Sequence, residues 1–303
     1  MKKILSYGSL NYDLVYHVPH FVMPGETLAA TETGRFPGGK GLNQSIALAR
    51  AGAGVFHGGK TGPDGESLVQ LLRESGADPR YTRTDGTATG TAVIQVAPSG
   101  ENCILLSHGA NYEQTREDFE RALTDFAEGD LLLLQNEISG LPLLIKLAAQ
   151  KGMAVALNPS PIDPALLAMD LGAVSFLILN EIEGRAMTGE EKPEAICQAL
   201  LGRYPDLKIV LTLGTNGSLY ADRDTRLRQG IFETKAVDTT AAGVTFSGYF
   251  LALTAEGRQA AEALRTASKA SALAVSRRGA AVSIPKRCEV EAANLRELPF
   301  FEP

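Results

Sequence analysis

The sequence predicts a three-layer α/β/α fold with a mostly parallel central sheet. Between residues 129 and 214, four apolar runs each end in a polar residue or a glycine, and helix-like stretches separate them. This alternation is typical of parallel strands that helices cover on both faces. The chain has 303 residues, of which 44% are hydrophobic, and it shows no internal repeat or linker. We therefore expect a single domain over residues 1–303.

The individual elements follow from local patterns, taken in chain order. "KKILSYGSL" and "AGVFHGGK" indicate strands, and between them "LNQSIALARAG" indicates a helix that Gly52 ends. "GESLVQLLRESGA" has the spacing of an amphipathic helix. The four apolar runs are "GDLLLLQNE", "GMAVALNPS", "VSFLILNE" and "LKIVLTLG". After Gly243, "VTFSGYFLALTAEG" and "RQAAEALRTASKASALAVSRRG" indicate two long helices with apolar stripes.

Polar side chains stand at the carboxyl ends of the four predicted strands or in the residues that follow. Ligands of open parallel sheets bind at this edge, so we expect these side chains to converge on one rim. They are Gln135, Asn136, Glu137, Asn158, Asn180, Glu181, Glu183 and Thr212.

Two segments interrupt the alternation of strands and helices. "YDLVYHVPHFVMPGETLAATETGRF" and "GTAVIQVAPSGENCILLSHGAN" indicate antiparallel strands with turns at Pro24-Gly25 and Ser99-Gly100. We expect them to form a small β lid over the rim, built from about residues 13–36 and 86–111.

Composition excludes several classes of partner. The net charge is −6 and the signs are interspersed, so there is no basic stripe for nucleic acid or for an anionic membrane. No apolar span reaches the 18 residues that a membrane helix needs. The cysteines, Cys103, Cys197 and Cys288, are odd in number and far apart, which favours a reducing cytoplasm over a disulfide framework. A small-molecule ligand fits best.

Two stretches place small residues where a helix begins. In "GRFPGGKGLNQ", Gly38 and Gly39 let the backbone approach a polar ligand, while Lys40 and Asn43 supply hydrogen-bond donors. The same residues could equally form a tight turn that caps a helix, and they do not form a P-loop, which needs Ser or Thr after the lysine. In "DTTAAGVTFSGYF", the amides of Ala241, Ala242 and Gly243 could face an anion such as a phosphate.

Seven motifs together resemble the ribokinase-type (PfkB) carbohydrate kinases. "GSLNYD", "GGKGLNQ", "QNE", "LNEIEGRAMTG", "LTLG", "VDTTAAG" and "AVSRRGAAVSIP" occur in that family's order and spacing, from Gly8 to Pro285. The resemblance implies a ribokinase-like fold and transfer of a phosphoryl group from ATP to a sugar. It also implies a set of residues that bind the sugar hydroxyls: Asp13, Gly39, Lys40, Asn43 and Glu137. Alternatively, Asp13 belongs to a turn or helix cap and Glu137 to a solvated loop.

The resemblance also implies a nucleotide site and two cations. Asn180 and Glu183 would contact Mg²⁺ and the phosphates of ATP through water, although N-x-x-E is also a helix capping box. Thr212, Gly214 and Gly217 would line the triphosphate, although a turn after a buried strand would use the same residues. A further group would surround K⁺, several through backbone oxygens, unless "RRGAAVSIP" is a surface loop: Asp238, Thr240, Ala274, Arg277, Gly279 and Ser283.

The chain departs from the family at Val244. The family has an aspartate there, which accepts the proton of the attacking primary hydroxyl, beside the anion hole of Ala241 to Gly243. Valine cannot accept a proton, and loss of a positioned general base costs on the order of 10²- to 10⁴-fold in rate. Positioning and electrostatics supply most of phosphoryl transfer, so residual turnover is compatible with Val244.

Three functions compete at this stage. The first is an ATP-dependent kinase for ribose or a similar sugar, with fructose, deoxyribose, another keto-sugar or a nucleoside left open, and with activity strongly reduced by Val244. The second is a catalytically silent protein that binds sugar or nucleotide. The third, a dinucleotide-dependent oxidoreductase, is poor because no G-x-G-x-x-G follows the first strand. The lid segments and their apolar edge predict a homodimer through the lid.

Overall fold

The strands coincide with most of the predicted apolar runs and with both lid segments. The computed structural model describes residues 2–301. Within that range the strands are β1 Ile4–Tyr7, β2 Asn11–His17, β3 Glu32–Gly38, β4 Val55–Lys60, β5 Asp78–Arg83, β6 Gly90–Val96, β7 Asn102–Ser107, β8 Leu131–Gln135, β9 Ala154–Asn158, β10 Phe176–Asn180, β11 Lys208–Thr212, β12 Ser218–Ala221 and β13 Arg226–Gln229.

The helices fill the stretches between these strands and most of the chain after residue 241. They are α1 Lys40–Arg50, α2 Glu66–Glu74, α3 Arg116–Leu123, α4 Leu141–Gln150, α5 Pro164–Leu167, α6 Glu181–Thr188, α7 Pro193–Arg203, α8 Ala242–Ala255, α9 Ala260–Val275 and α10 Arg287–Ala292. Short 3-10 turns occur at Pro63–Gly65, Gly109–Tyr112 and Gly214–Asn216. No helix within residues 2–301 combines the length and the apolar character needed to cross a bilayer.

One sheet of nine strands forms the middle layer, in the order β13-β12-β11-β10-β9-β8-β1-β4-β5. The strands from β11 to β5 are parallel, and β12 and β13 continue the sheet as an antiparallel hairpin at one end. The predicted mostly parallel sheet is therefore confirmed. The polar residues that end β8 to β11 all lie at one edge, because Gln135 pairs with Asn158 and Asn180 pairs with Thr212.

Helices cover both faces of this sheet, which makes the fold a three-layer α/β/α arrangement. Alternate residues of β8 show the two cores: Leu131 and Leu133 pack on the side of α1, α8 and α9, whereas Leu132 and Leu134 pack on the side of α3, α4 and α7. Strands buried on both faces are expected to be almost continuously apolar, as "LLLL" is. The two cores leave the carboxyl edge of the sheet as the place for polar residues.

The two segments that interrupt the alternation form a separate four-stranded sheet, in the order β3-β2-β6-β7. Strands β2 and β3 are antiparallel, as are β6 and β7, so each segment forms the antiparallel pair that the sequence predicts. The two hairpins join through β2 and β6, which pair in parallel. Gly25 and Gly100, both with positive φ, lie in the predicted turns.

Candidate functional site

Glu137 is the centre of a buried group of polar side chains at the carboxyl edge of the nine-stranded sheet. It follows β8 and is 5% exposed. Its Oε2 accepts hydrogen bonds from the Lys40 amide, at 3.0 Å, and from the Ser9 hydroxyl. Its Oε1 accepts from Lys40 Nζ at 2.6 Å. Glu137 is therefore not part of a solvated loop, and its carboxylate fixes both the start of α1 and the lysine side chain.

Glycines allow α1 to begin against the connection between β1 and β2. Gly39 precedes the helix with φ 94°, and a Cβ there would lie 2.8 Å from the Ser9 carbonyl oxygen. A Cβ on Gly41 would lie 2.4 Å from the Ser9 nitrogen. The Gly41 amide donates instead to Ser9 Oγ at 3.2 Å. The close approach brings the first amides of α1 and Lys40 to Glu137.

Asp13 lies in the middle of β2 and beside the same lysine, so it is neither a turn residue nor a helix cap. A Cβ on Gly38 would lie 2.2 Å from Asp13 Oδ1, which means that the carboxylate covers that glycine. The pKa of Asp13 is raised to about 6, because burial and the negative charge of Glu137 raise it more than the positive charge of Lys40 lowers it. A ligand that donates hydrogen bonds to Asp13 would therefore stabilise its ionised carboxylate.

Asn43 presents an unsatisfied acceptor one turn into α1. The residue is 8% exposed, and its side-chain Oδ1 has no hydrogen-bond partner among the described residues. A buried polar atom without a partner is costly, and natural proteins retain such atoms chiefly where a ligand or water completes them. A hydroxyl group is a donor of the required kind. Ser9, Asp13, Lys40, Asn43 and Glu137 are called the Lys40 cluster below.

Amide side chains form a fixed floor beside the Lys40 cluster. Gln135 Nε2 donates to Gln44 Oε1 at 2.6 Å, and Gln44 Nε2 donates to Asn158 Oδ1 at 3.3 Å. Asn136 Nδ2 donates to Asp163 Oδ2 at 3.0 Å. Gln44 therefore links two of the polar residues predicted for the rim, Gln135 and Asn158, which rigidifies this edge of the sheet.

Asn180 and Glu183 form the capping box that the sequence left open. Asn180 Oδ1 accepts from the Glu183 amide and Glu183 Oε2 accepts from the Asn180 amide, both at 2.9 Å. Burial raises the pKa of Glu183, and its bond to Asn180 and the charge of Lys40 offset this only in part. The positive charge of Lys40 lowers the pKa of both Asp13 and Glu183.

Thr212, Gly214 and Gly217 lie at the end of β11, next to the start of α6. Thr212 pairs with Asn180 across the sheet, and its hydroxyl donates to the Leu179 carbonyl at 3.3 Å. Gly214 and Gly217 have φ of 55° and 108°, and a Cβ on Gly217 would lie 2.1 Å from the Gln229 carbonyl oxygen. This loop closes tightly over the sheet edge and leaves Gly214 open to a ligand.

The first turn of α8 has no side-chain cap. Ala241 precedes the helix, no side chain hydrogen-bonds to its first amides, and no acidic residue occurs in its first turn. The Ala242 amide donates to the Thr239 carbonyl at 3.1 Å, and a Cβ on Gly243 would meet no atom within 4 Å, so the space beside Gly243 is open. Val244 follows on the same turn and packs, partly buried, against the core. The amides of Ala241, Ala242 and Gly243 are called the amide nest below.

Asp238 braces the approach to the amide nest. Its Oδ1 accepts from the Thr240 amide at 3.0 Å and hydroxyl at 2.6 Å, and its Oδ2 accepts from the Gly279 amide at 2.9 Å. Burial alone would raise the pKa of Asp238, but these bonds outweigh it and keep the pKa below its ordinary value. A carboxylate so fully engaged is a poor acceptor for another proton.

The remaining residues of the predicted cation site belong to residues 274–283, a stretch that contacts Asp238 through the Gly279 amide and the Val275 carbonyl. The Ala274 carbonyl accepts from the Arg277 amide at 3.1 Å, and the Ser283 hydroxyl donates to the Ala280 carbonyl at 2.9 Å. The Arg277 side chain turns away to Glu289, at 2.7 Å. Nowhere in residues 2–301 do three His, Cys, Asp or Glu side chains gather as a metal site. One carboxylate with neutral oxygens suits a monovalent cation, which the resemblance implies.

Several residues that the sequence analysis did not single out hold the site together. Ser9 links Glu137 to Gly41. Asn111, at the end of the second lid segment, accepts from the Leu10 amide at 3.0 Å and donates to Asn11 Oδ1 at 2.7 Å. Ser9 follows the buried strand β1 and Asn111 lies in the 3-10 turn after β7, and neither position carries a distinctive sequence signal.

The comparisons with known proteins agree over almost the whole chain. The profile of the pfkB family carbohydrate kinases matches residues 1–287. A ribokinase of Haemophilus influenzae is 36% identical over 302 residues, covering 95% of this chain and 97% of that protein. A ribokinase of Bacillus subtilis is 34% identical over 296 residues, covering 96% of this chain and 99% of that protein.

Solved structures of ribokinases have the same fold. The ribokinase of Cryptococcus neoformans in complex with ADP superposes with a TM-score of 0.85 at 32% identity, covering 96% of this chain and 99% of that one. The ribokinase of Arabidopsis thaliana complexed with ribose and ATP superposes with a TM-score of 0.84 at 29% identity, covering 96% and 97%. The predicted ribokinase-like α/β/α fold is confirmed.

Proposed function

The chain belongs to the pfkB family of carbohydrate kinases, and from that membership we propose that it binds ATP and a pentose and transfers phosphate to the pentose's primary hydroxyl. The observation that carries this proposal is the Lys40 cluster. It combines a lysine, two carboxylates and a buried unpaired amide oxygen, a set that suits a small ligand with several hydroxyl groups.

The Lys40 cluster supplies both kinds of partner that a sugar hydroxyl needs. Asp13, Asn43 Oδ1 and Glu137 accept hydrogen bonds, while Lys40 and the backbone around Gly39 offer donors. A site that pairs each hydroxyl rejects analogues that leave these buried groups unpaired. Ribose is the first substrate to test, because several relatives with more than 30% identity are ribokinases. Deoxyribose, fructose, another keto-sugar and nucleosides are further candidates.

The nucleotide occupies the opposite side of the cleft in this proposal. Thr212, Gly214 and Gly217 line the triphosphate, and Asn180 and Glu183 hold Mg²⁺ through water while keeping their capping box. When bound, Mg²⁺ would neutralise phosphate charge and K⁺ would support the amide nest. The K⁺ site uses a carboxylate and neutral oxygens: Asp238, Thr240, Ala274, Arg277, Gly279 and Ser283.

The amide nest binds the transferring phosphoryl group, because the backbone amides at the start of a helix favour an anion. Val244 lies where the family has its general base, and it offers no lone pair to the attacking hydroxyl. Asp238 does not replace that base, since both of its oxygens already accept hydrogen bonds. We expect turnover lower by on the order of 10²- to 10⁴-fold than in the same protein with aspartate at this position.

Val244 also supports a second candidate, a protein that binds sugar and nucleotide without turnover. Every group proposed to bind either ligand is present, and only the proton acceptor is missing. This candidate predicts tight binding of both ligands and no increase in kcat when Val244 is replaced by aspartate. The kinase proposal predicts the same binding and a large increase in kcat.

The four-stranded sheet acts as a lid in this proposal, and a second copy of the chain covers it to give a homodimer. Ile104 and Leu105 of β7 are 57% and 72% exposed, an apolar edge that favours pairing. We propose a cytoplasmic location, which the three free cysteines support.

Isothermal titration calorimetry tests the proposal without depending on turnover. Ribose, deoxyribose, fructose and inosine are each titrated into the protein, followed by ADP with Mg²⁺ and K⁺. We expect saturable binding of ADP and of at least one sugar. Glu120→Gln, which changes an exposed carboxylate on α3, is the control and should bind both ligands as the parent does. Absence of sugar binding with ADP bound would contradict the acceptor assignment, and absence of both would contradict the whole proposal.

A further inference from the structure

Arg50 ends α1 and holds a segment far from it in sequence. Its Nη1 donates to the Ala281 carbonyl at 2.8 Å and to the Ile284 carbonyl at 2.6 Å. Ala281 and Ile284 are 2% and 1% exposed, so water has little access to replace a lost donor. The guanidinium is itself half-buried, and a cation in the last turn of a helix is also favoured by the helix dipole. Arg50 thus fixes residues 277–285 to the end of α1.

The segment held by Arg50 leads directly to the amide nest. The Gly279 amide donates to Asp238 Oδ2, and Asp238 Oδ1 binds the amide and hydroxyl of Thr240. Thr240 precedes the amide nest by one residue. Gly279 has φ 89°, a conformation that is open to glycine and strained for residues with a Cβ. The position of the nest therefore depends on the position of residues 277–285.

A second contact ties the same segment to the helix that carries the nest. The Tyr249 hydroxyl of α8 is 2.9 Å from the Pro285 carbonyl oxygen and 3.5 Å from that of Arg50. A Cβ on Gly248 would lie 2.4 Å from Ala47 Cβ, so α1 and α8 touch closely. The Tyr249 hydroxyl therefore holds Pro285, whereas Arg50 holds Ala281 and Ile284.

The two ends of helix α1 contact different parts of the protein. Lys40 and Asn43 of the Lys40 cluster lie at its start, and Arg50 lies about 15 Å from Lys40 along the axis, at a rise of about 1.5 Å per residue. The start is fixed separately, by Glu137 and Ser9. A change at Arg50 should therefore reach the amide nest without reaching the Lys40 cluster.

We propose that Arg50 is a positioning residue for the amide nest: by clamping the Ala281 and Ile284 carbonyls it sets the place of Asp238 and of the nest, while the Lys40 cluster does not depend on it. The part that concerns nucleotide rests on the proposed function, whereas the clamp itself does not. Arg50 touches none of the proposed ligand groups, so its effect is indirect and selective.

Hydrogen–deuterium exchange of the ligand-free protein tests the clamp directly. Arg50→Met keeps the apolar stem and removes the donors, Arg50→Lys keeps one cationic donor, and Arg73→Met on the exposed face of α2 is the control. We expect Arg50→Met to speed exchange about tenfold or more at Thr240 and Gly279, with residues 39–44 unchanged, and Arg50→Lys to regain most protection. Unchanged exchange at both amides, or an equal rise at residues 39–44, would overturn the proposal.

Calorimetry adds a readout that general destabilisation would not produce. ADP affinity should fall about tenfold in Arg50→Met and recover in Arg50→Lys, while ribose affinity stays within about twofold in both. Equal losses for the two ligands would overturn the proposal. If the parent protein binds neither ligand, the proposed function fails, and the exchange experiment still decides the clamp.

Discussion

Glu137 accepts two hydrogen bonds from one residue, Lys40, through its backbone amide at 3.0 Å and its ammonium at 2.6 Å. Both residues lie at the carboxyl edge of the nine-stranded sheet, and their contact fixes the start of α1. A buried carboxylate in such contacts is costly to alter, because its partners are left without an acceptor.

Glu137→Gln should destabilise the protein and weaken sugar binding together. The amide keeps one acceptor oxygen but turns an NH₂ group towards donors, so we expect a loss of about 1–3 kcal/mol in the free energy of unfolding. Ribose affinity should fall about tenfold or more, whereas ADP affinity changes little. Urea denaturation and calorimetry measure these effects beside Glu120→Gln. A variant as stable as its parent, with intact ribose binding, would contradict the role given to this pair.

Gly38→Ala should separate binding from stability. The new Cβ would lie 2.2 Å from Asp13 Oδ1, and the carboxylate can swing away because it is the free end of a side chain. We expect ribose affinity to fall about tenfold, as for loss of a hydrogen bond to a charged group, with little change in melting temperature. Gly54→Ala is the control, since its Cβ would meet no atom within 4 Å. Unchanged ribose binding in Gly38→Ala would remove Asp13 from the sugar site.

Ribose binding should depend on pH through Asp13, whose pKa of about 6 lies above the ordinary 3.8 because of burial and of Glu137. The folded state therefore holds this proton more tightly, and the stability it contributes is full below pH 3.8 and is lost as pH rises through about 6. Binding has the opposite trend, because the ionised carboxylate is the better acceptor for hydroxyl groups.

Calorimetry between pH 5 and 7.5 measures this dependence. With a midpoint near 6, ribose affinity should be roughly tenfold lower at pH 5, where about a tenth of Asp13 is ionised. Asp13→Asn should bind weakly at every pH. A parent profile as flat as that of the variant would assign the acceptor role to another group.

Ile104→Glu should convert a dimer to monomers. Ile104 is 57% exposed on β7, and a carboxylate on that face would have to be buried without a partner when a second copy covers it. Sedimentation velocity of the parent, of the variant and of Gln198→Glu on the exposed face of α7 measures the state. A monomeric parent at micromolar concentration would refute the proposed dimer.

The central sheet could be predicted from sequence because its strands are buried on both faces. "LLLL" in β8 and "FLIL" in β10 are continuous apolar runs whose short length favours a buried strand over a helix. The hairpin of β12 and β13 was missed because β13 alternates arginines with other residues at an exposed edge. The parallel contact of β2 with β6 was missed because strand patterns do not encode which hairpins meet.

The sequence named candidate residues for the site, but it did not give the contacts that each of them makes. Asn180 and Glu183 show why: one pair of side chains caps α6, and the same atoms are the ones proposed to reach magnesium-bound water. Ser9 was missed because a serine after a strand has no distinctive spacing, and only the folded chain brings it to Glu137. Val244 was found because the family that the seven motifs resemble has aspartate at this position.

The most direct measurement is the rate of ribose phosphorylation with ATP in the parent and in Val244→Asp. Val244→Asn is the matched control, because it has the shape of aspartate without a basic carboxylate. The account predicts that Val244→Asp raises kcat by on the order of 10²- to 10⁴-fold, while Val244→Asn stays near the parent and all three bind ribose with similar affinity. A Val244→Asp protein that binds ribose and ATP, yet transfers no more phosphate than its parent to any sugar or nucleoside tried, would contradict it.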